Sequence, residues 1–251
     1  RETLARIRAE PGLSLWGLFL ESYNHGEWTL GLYFPDHGRA ALRGFRGWLR
    51  SRYGSDLGLQ QAWGDPAARL DTARPPVQYS RDWLDDLRLF SRPEQDYIEA
   101  ESEALTAQVL AIARAIKQVD PGLGVGGFYP GSNRPQSDCL TLYRSDAIDF
   151  CATPLAYENR GLAQGCNSQS SFCDALGSLG KVWWDELDSR THAASPAYAP
   201  MHPPTDPAGS VELLWRDAGQ MLVRGHHGWW LDFGGARFAM AVSNLIGAAM
   251  Y

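Results

Sequence analysis

Two carboxylates in this chain of 251 residues stand where paired-acid chemistry would place them. Glu27 lies in the run His25-Gly26-Glu27-Trp28 after one short apolar segment, and Glu186 follows Trp183-Trp184-Asp185 after another. Cleavage at an anomeric carbon with retention needs a neutral acid for the leaving oxygen and an anion to attack carbon. The two carboxyl groups must lie ~5–5.5 Å apart. Separate strand ends of a rigid parallel scaffold can hold such a pair facing one pocket. Strand-end acids also cap helices and pair with arginines, so two glutamates alone mean little. Aromatic placement adds to them: Trp28, Tyr157, Trp184 and Trp230 fall at or near predicted strand ends on the same rim. Flat rings stack on the C–H faces of sugars, although ordinary packing explains any one of them equally well. Tyr157 is suited to donate a hydrogen bond to a nucleophilic carboxylate. Arg190 and His192 follow Glu186 closely enough to hold it ionised or to orient its loop.

Other chemistries find less support. Gly122, Gly124 and Gly127 match G-x-G-x-x-G, with Asp149 downstream, but these glycines follow a helix and enter a strand. A dinucleotide fingerprint needs the opposite order, so that the pyrophosphate meets a helix N-terminus. The expected reason for them is a strand passing a crowded interior. His25, His192, His226 and His227 show neither H-x-x-x-H nor H-E-x-x-H spacing, so no metal and no cofactor is expected. Cys139, Cys151, Cys166 and Cys173 contain no C-x-x-C and read as buried thiols. With 23 basic against 29 acidic residues and no long Lys/Arg cluster, nucleic acid is not an expected partner. The chain begins at Arg1 without the features of a signal peptide. Phe238 to Tyr251 is too short to span a bilayer and reads as a buried terminal helix, so no membrane partner is expected. Nothing indicates a compartment.

The elements that must position these residues alternate between strand and helix. Leu15 to Leu20 is a continuous apolar run, as in a strand buried on both faces. Leu42, Phe45, Leu49 and Tyr53 recur at helical spacing up to Gly54, and a short helix follows Ser55 to Trp63. Asp71 to Tyr79 reads as irregular. From Pro93, a long helix presents Leu105, Val109, Ile112, Ile116 and Val119 and stops at Pro121-Gly122. Strands are expected at Leu123–Tyr129, Ala147–Thr153, Lys181–Trp184 and Gly228–Leu231, with a helix at Ser210–Arg224 capped by Gly225. This is parallel α/β architecture, in which ligands bind at the C-terminal strand ends.

Phe45-Arg46-Gly47-Trp48-Leu49 to Tyr53-Gly54, then Leu59 to Ala62-Trp63-Gly64, resembles the region after the acid/base glutamate in family 42 β-galactosidases and their clan A relatives. Gly26-Glu27-Trp28, Pro154-Leu-Ala-Tyr157, the stretch from Lys181 to His192 and Gly228-Trp-Trp-Leu-Asp232 follow in the same order. The resemblance implies a (β/α)₈ TIM barrel hydrolysing terminal β-linked sugars with retention. It makes Glu27 the acid/base, Glu186 the nucleophile, Tyr157 a neighbour of the nucleophile, and Trp230 the aromatic under the sugar. His25, Trp28, Arg190 and Asp232 join them as substrate-binding residues. Gly26 stands where clan members have Asn, and Glu21 is a second acid near the same strand end. The cysteine cluster that binds zinc in many family 42 enzymes does not follow Glu27.

Residues 1–11 resemble the end of the helix before barrel strand four, and the five strands correspond to strands four to eight. The whole chain, 1–251, therefore reads as one partial catalytic barrel domain lacking its first three strands. Its expected partners are a β-glycoside or oligosaccharide and the missing strands, supplied by the parent chain or a partner chain; a homo-oligomer is a further option. The alternative is a non-catalytic carbohydrate-binding or structural half-barrel.

Overall fold

The computed structural model describes residues 2–21, 35–80, 87–129, 139–155, 159–165 and 173–231. In chain order these form α1 (Glu2–Ala9), β1 (Gly17–Leu20), α2 (Arg39–Tyr53), α3 (Asp56–Trp63), α4 (Arg92–Val119), β2 (Gly124–Phe128) and α5 (Cys139–Arg144). There follow β3 (Phe150–Pro154), α6 (Cys173–Ser178), β4 (Val182–Leu187), α7 (Pro207–Arg224) and β5 (His227–Trp230). Single 3-10 segments lie at Leu87–Leu89 and Pro196–Met201.

The five strands form one sheet in the order β1-β2-β3-β4-β5, every pair parallel. The result is a half-barrel, each connection passing through helix. Alternation along the strands sorts their side chains onto two faces. On the convex face Leu20, Val125, Cys151 and Trp183 pack with Val109, Leu110 and Ala113 of α4, Leu142 and Tyr143 of α5, and Leu176 of α6. On the concave face Phe19, Phe128, Phe150, Trp184 and Trp229 meet at ring-centroid separations of 5.1–6.2 Å. A satellite core joins α2, α3 and α4 through Phe45, Leu49, Leu59 and Tyr97.

Of the three motif glycines, Gly124 and Gly127 have the packing origin expected of them, a Cβ on Gly124 falling 3.3 Å from the Trp16 ring, whereas Gly122 has room for one. A Cβ on Gly126 would strike the Phe150 carbonyl and ring, and one on Gly127 would strike the Leu20 carbonyl. Asp149 accepts from the Val125 N–H at 2.7 Å and pairs with Lys117 at 2.6 Å, so it tethers β2 and α4. The long helix needs one correction. Ile112 and Val119 are exposed, because the buried stripe runs through Val109, Leu110 and Ala113, with Leu105 and Ile116 at its margins. The expected terminal helix at Phe238–Tyr251 lies outside the described residues, as does Cys166. Among the described residues no helix is long and apolar enough to cross a membrane.

The fourth strand departs from expectation in a way that matters for the site. It was expected to end at Trp184, but it continues to Leu187 and carries Asp185 and Glu186 within the sheet. An acid inside a strand is tolerated only where its charge is met by donors. Asp185 accepts from Trp183 Nε1 at 2.8 Å and from His226 Nδ1 at 3.0 Å.

Candidate active site

Glu186 occupies the penultimate position of β4, at the C-terminal end of the sheet and on its concave face. It is in register with Pro154 of β3 and Trp229 of β5, and it is buried. The backbone around it is fixed from both sides. The Leu155 N–H donates to the Glu186 carbonyl at 3.1 Å, and the Leu231 N–H donates to the Leu187 carbonyl at 3.1 Å. Trp184, one strand step below on the same face, stacks against Trp16 and Phe150. The buried Trp184 indole N–H meets no acceptor among the described residues.

Alternation assigns the two tryptophans of β5 to opposite faces. Trp230, expected under a sugar, instead packs on Leu214 and Val211 of α7 on the convex side. Trp229 shares the face of Glu186 and lies 6.2 Å from Trp184 between ring centroids. Sequence reading missed Trp229 because alternation within one strand does not reveal which parity faces inward. Only the register with β4 does.

The loop after Glu186 is held by a buried charge cluster. Arg160 Nη1 donates to Asp188 Oδ2 at 2.7 Å and to the Asp188 carbonyl at 2.8 Å, while Arg160 Nη2 donates to the Leu155 carbonyl. Arg190 pairs with the other Asp188 oxygen and places its guanidinium 4.5 Å from the Tyr198 ring centroid. Arg216 carries the network onward to the Gly161 carbonyl and to Asp217, each at 2.7 Å. Burial pushes the Asp217 carboxyl up, against the opposing pull of Ser189 and Arg216. His192 is tied to α7, its Nδ1 2.9 Å from Ser210 Oγ. These contacts of Arg190 and His192 orient the loop. Arg160 and Asp188 carried no signal, because their partnership joins the ends of β3 and β4.

Behind Glu186, on the convex face, Asp185 and His226 form a buried pair. Burial alone would lower the His226 pKa. The hydrogen bonds with Asp185 and Cys173 outweigh it and lift the value to about 9. Glu21, the second acid near the first strand, is exposed directly after β1. Glu27, His25, Trp28, Tyr157 and Asp232 lie outside the described residues.

No protein-family model matches the chain, and no curated protein matches its sequence. Solved structures do resemble its fold. A β-galactosidase from the psychrophilic Marinomonas ef1 aligns with TM-score 0.55 at 15% identity, over 93% of this chain and 37% of its own. A polyextremophilic β-galactosidase from the Antarctic haloarchaeon Halorubrum lacusprofundi aligns at 0.53 and 18%, over 91% of this chain and 34% of its own. An exo-β-agarase aligns at 0.51 and 14%, over 80% and 26%. The chain thus spans 26% to 37% of the length of these proteins. At such identities the likeness is one of fold: five parallel strands in a half-barrel, consistent with part of a TIM-barrel-like domain.

Proposed function

We propose that this chain is the catalytic C-terminal part of a retaining glycoside hydrolase acting on terminal β-linked sugars, β-galactosides first among them. The observation that carries the reading is Glu186. It is a buried carboxylate at the C-terminal end of a parallel strand, flanked by Trp184 and Trp229 on the concave face, with a loop behind it fixed by two arginines. Active sites of parallel α/β barrels lie at this end of the sheet. The fold neighbours, by their names β-galactosidases and an agarase, favour the same class of reaction.

In this reading Glu27 protonates the glycosidic oxygen as a Glu186 oxygen attacks the anomeric carbon, so the C1–O bond breaks as an ester bond to Glu186 forms. Water then attacks C1, gives a proton to Glu27 and displaces Glu186. Glu27 must be protonated at the outset, a form that a negative charge on Glu186 at the ~5–5.5 Å separation of a retaining pair would favour. Trp229 takes the place under the sugar first expected of Trp230. Barrel strands one to three complete the site from the parent chain or a partner.

The test is hydrolysis of a nitrophenyl β-galactoside by the complete polypeptide, together with trapping by a 2-fluoro-β-galactoside. Glu186→Gln is expected to lower kcat by ~10³-fold, about 4 kcal/mol of transition-state stabilisation. The fluoro-sugar should add its mass to the peptide carrying Glu186. Sugar binding without turnover, unchanged by Glu186→Gln, would instead establish a carbohydrate-binding half-barrel.

A further inference from the structure

A second group of chemistry-bearing side chains lies on the convex side of the sheet, across it from Glu186. Cys173 and Asp174 open α6, His226 precedes β5, and one ligand atom from each lies within 4.8 Å of the others. Cys173 and His226 are buried and Asp174 is exposed. This is not a solvated patch of acids. A thiol, an imidazole and a carboxylate are brought together by the packing of α6 and the α7–β5 turn behind β4.

The imidazole is held in one orientation. Its Nδ1 lies 3.0 Å from Asp185 Oδ2, and Asp185 is itself fixed by Trp183 Nε1 at 2.8 Å. With Nδ1 engaged by the carboxylate, Nε2 is the ring nitrogen left for a ligand, and a metal bound there displaces its proton. A carboxylate behind the imidazole is the arrangement that fixes the tautomer and raises the ligand strength of metal-binding histidines. Cys173 Sγ and Asp174 Oδ1 are 3.8 Å apart. A tetrahedral ion with S and O ligands at ordinary zinc bond lengths sets them about 3.6 Å apart. Thiolate and carboxylate together balance a divalent charge. Arg224 Nη1 stands 4.0 Å from Sγ, and as an exposed residue at the end of α7 it has room to turn outward when a cation binds.

We propose that Cys173, Asp174 and His226 bind one Zn²⁺ ion, with Asp185 as the residue that orients His226. A mixed sulfur, nitrogen and oxygen donor set suits zinc and does not suit Mg²⁺ or Ca²⁺, which take oxygen ligands. Three protein ligands leave a fourth position for water. The ion clamps α6 to the start of β5 across the back of β4, next to the residue pair Asp185–Glu186. The site stands whether or not the chain is a glycosidase.

Cobalt titration of the chelator-treated protein tests this, because a thiolate–Co²⁺ bond gives a near-ultraviolet charge-transfer band. The expected result is one Co²⁺ per chain with that band, displaced by one equivalent of Zn²⁺. The band should vanish in Cys173→Ser and persist in Cys139→Ser. Asp174→Asn changes an exposed position that tolerates substitution, and it should weaken binding at least tenfold. Asp185→Asn should weaken it by ~10–100-fold. Absence of the band in the wild type, its survival in Cys173→Ser, or unchanged affinity in Asp174→Asn would each overturn the proposal.

Discussion

At the scale of single residues, adjacent side chains of one strand have separate physical roles. Trp229 faces the side of Glu186, while Trp230 packs on α7. Phenylalanine at each position should separate them. Trp229→Phe is expected to raise KM for a β-galactoside several-fold with a small change in melting temperature. Trp230→Phe should leave KM unchanged and cost about 1–2 kcal/mol in denaturant unfolding, through lost packing volume. Asp188 offers a sharper case. It is buried and receives Arg160 and Arg190, so Asp188→Asn leaves two buried guanidinium groups without their counter-charge. The expected loss is about 3–5 kcal/mol, read from the urea midpoint.

At the scale of elements, the start of α4 and the close approach of β2 to β3 decide how well the sheet is supported. Glu94, in the first turn of α4, accepts from the Ser91 N–H and hydroxyl and from the Ser80 N–H and hydroxyl. Burial alone would raise its pKa, but these four bonds outweigh it and hold the carboxyl below its ordinary value. A carboxyl with a lowered folded pKa contributes its full stability above the unfolded value of ~4.3 and loses it as pH falls through the folded one. Glu94→Gln should therefore cost about 1 kcal/mol at pH 7 and progressively less below pH ~4, as measured by urea unfolding at both. Gly126→Ala sets a Cβ against the backbone of β3, which cannot move as a flexible side chain could. It should destabilise by about 3 kcal/mol or more and lower soluble yield.

At the scale of the whole molecule, the two edges of the sheet matter. Among the described residues β1 and β5 each pair with one strand only. Trp16 and Leu13, beside the β1 edge, remain 57% and 61% exposed. Unpaired parallel edges with apolar neighbours invite further strands. The isolated chain is expected to self-associate with rising concentration in sedimentation velocity. Under the proposed function, co-expression with a segment supplying the proposed strands one to three should yield a single species of defined size.

The order of elements was legible in the residues themselves. A continuous apolar run marked β1, short mostly apolar segments marked the other four strands, and helical spacing marked α2 and α4, with Gly54 and Gly225 closing α2 and α7. These signals are local, arising from backbone sterics and the period of each element. The extension of β4 through Asp185 and Glu186 was not legible, because its licence is a histidine at position 226 and an indole beside it. Nor was the inward parity of Trp229, the double pairing of Asp188, or the meeting of Cys173 and Asp174 with His226. Each of these depends on which strand lies beside which and in what register. Sequence determined the strands and helices and the residues near their ends, and tertiary packing decided which of those residues face one another.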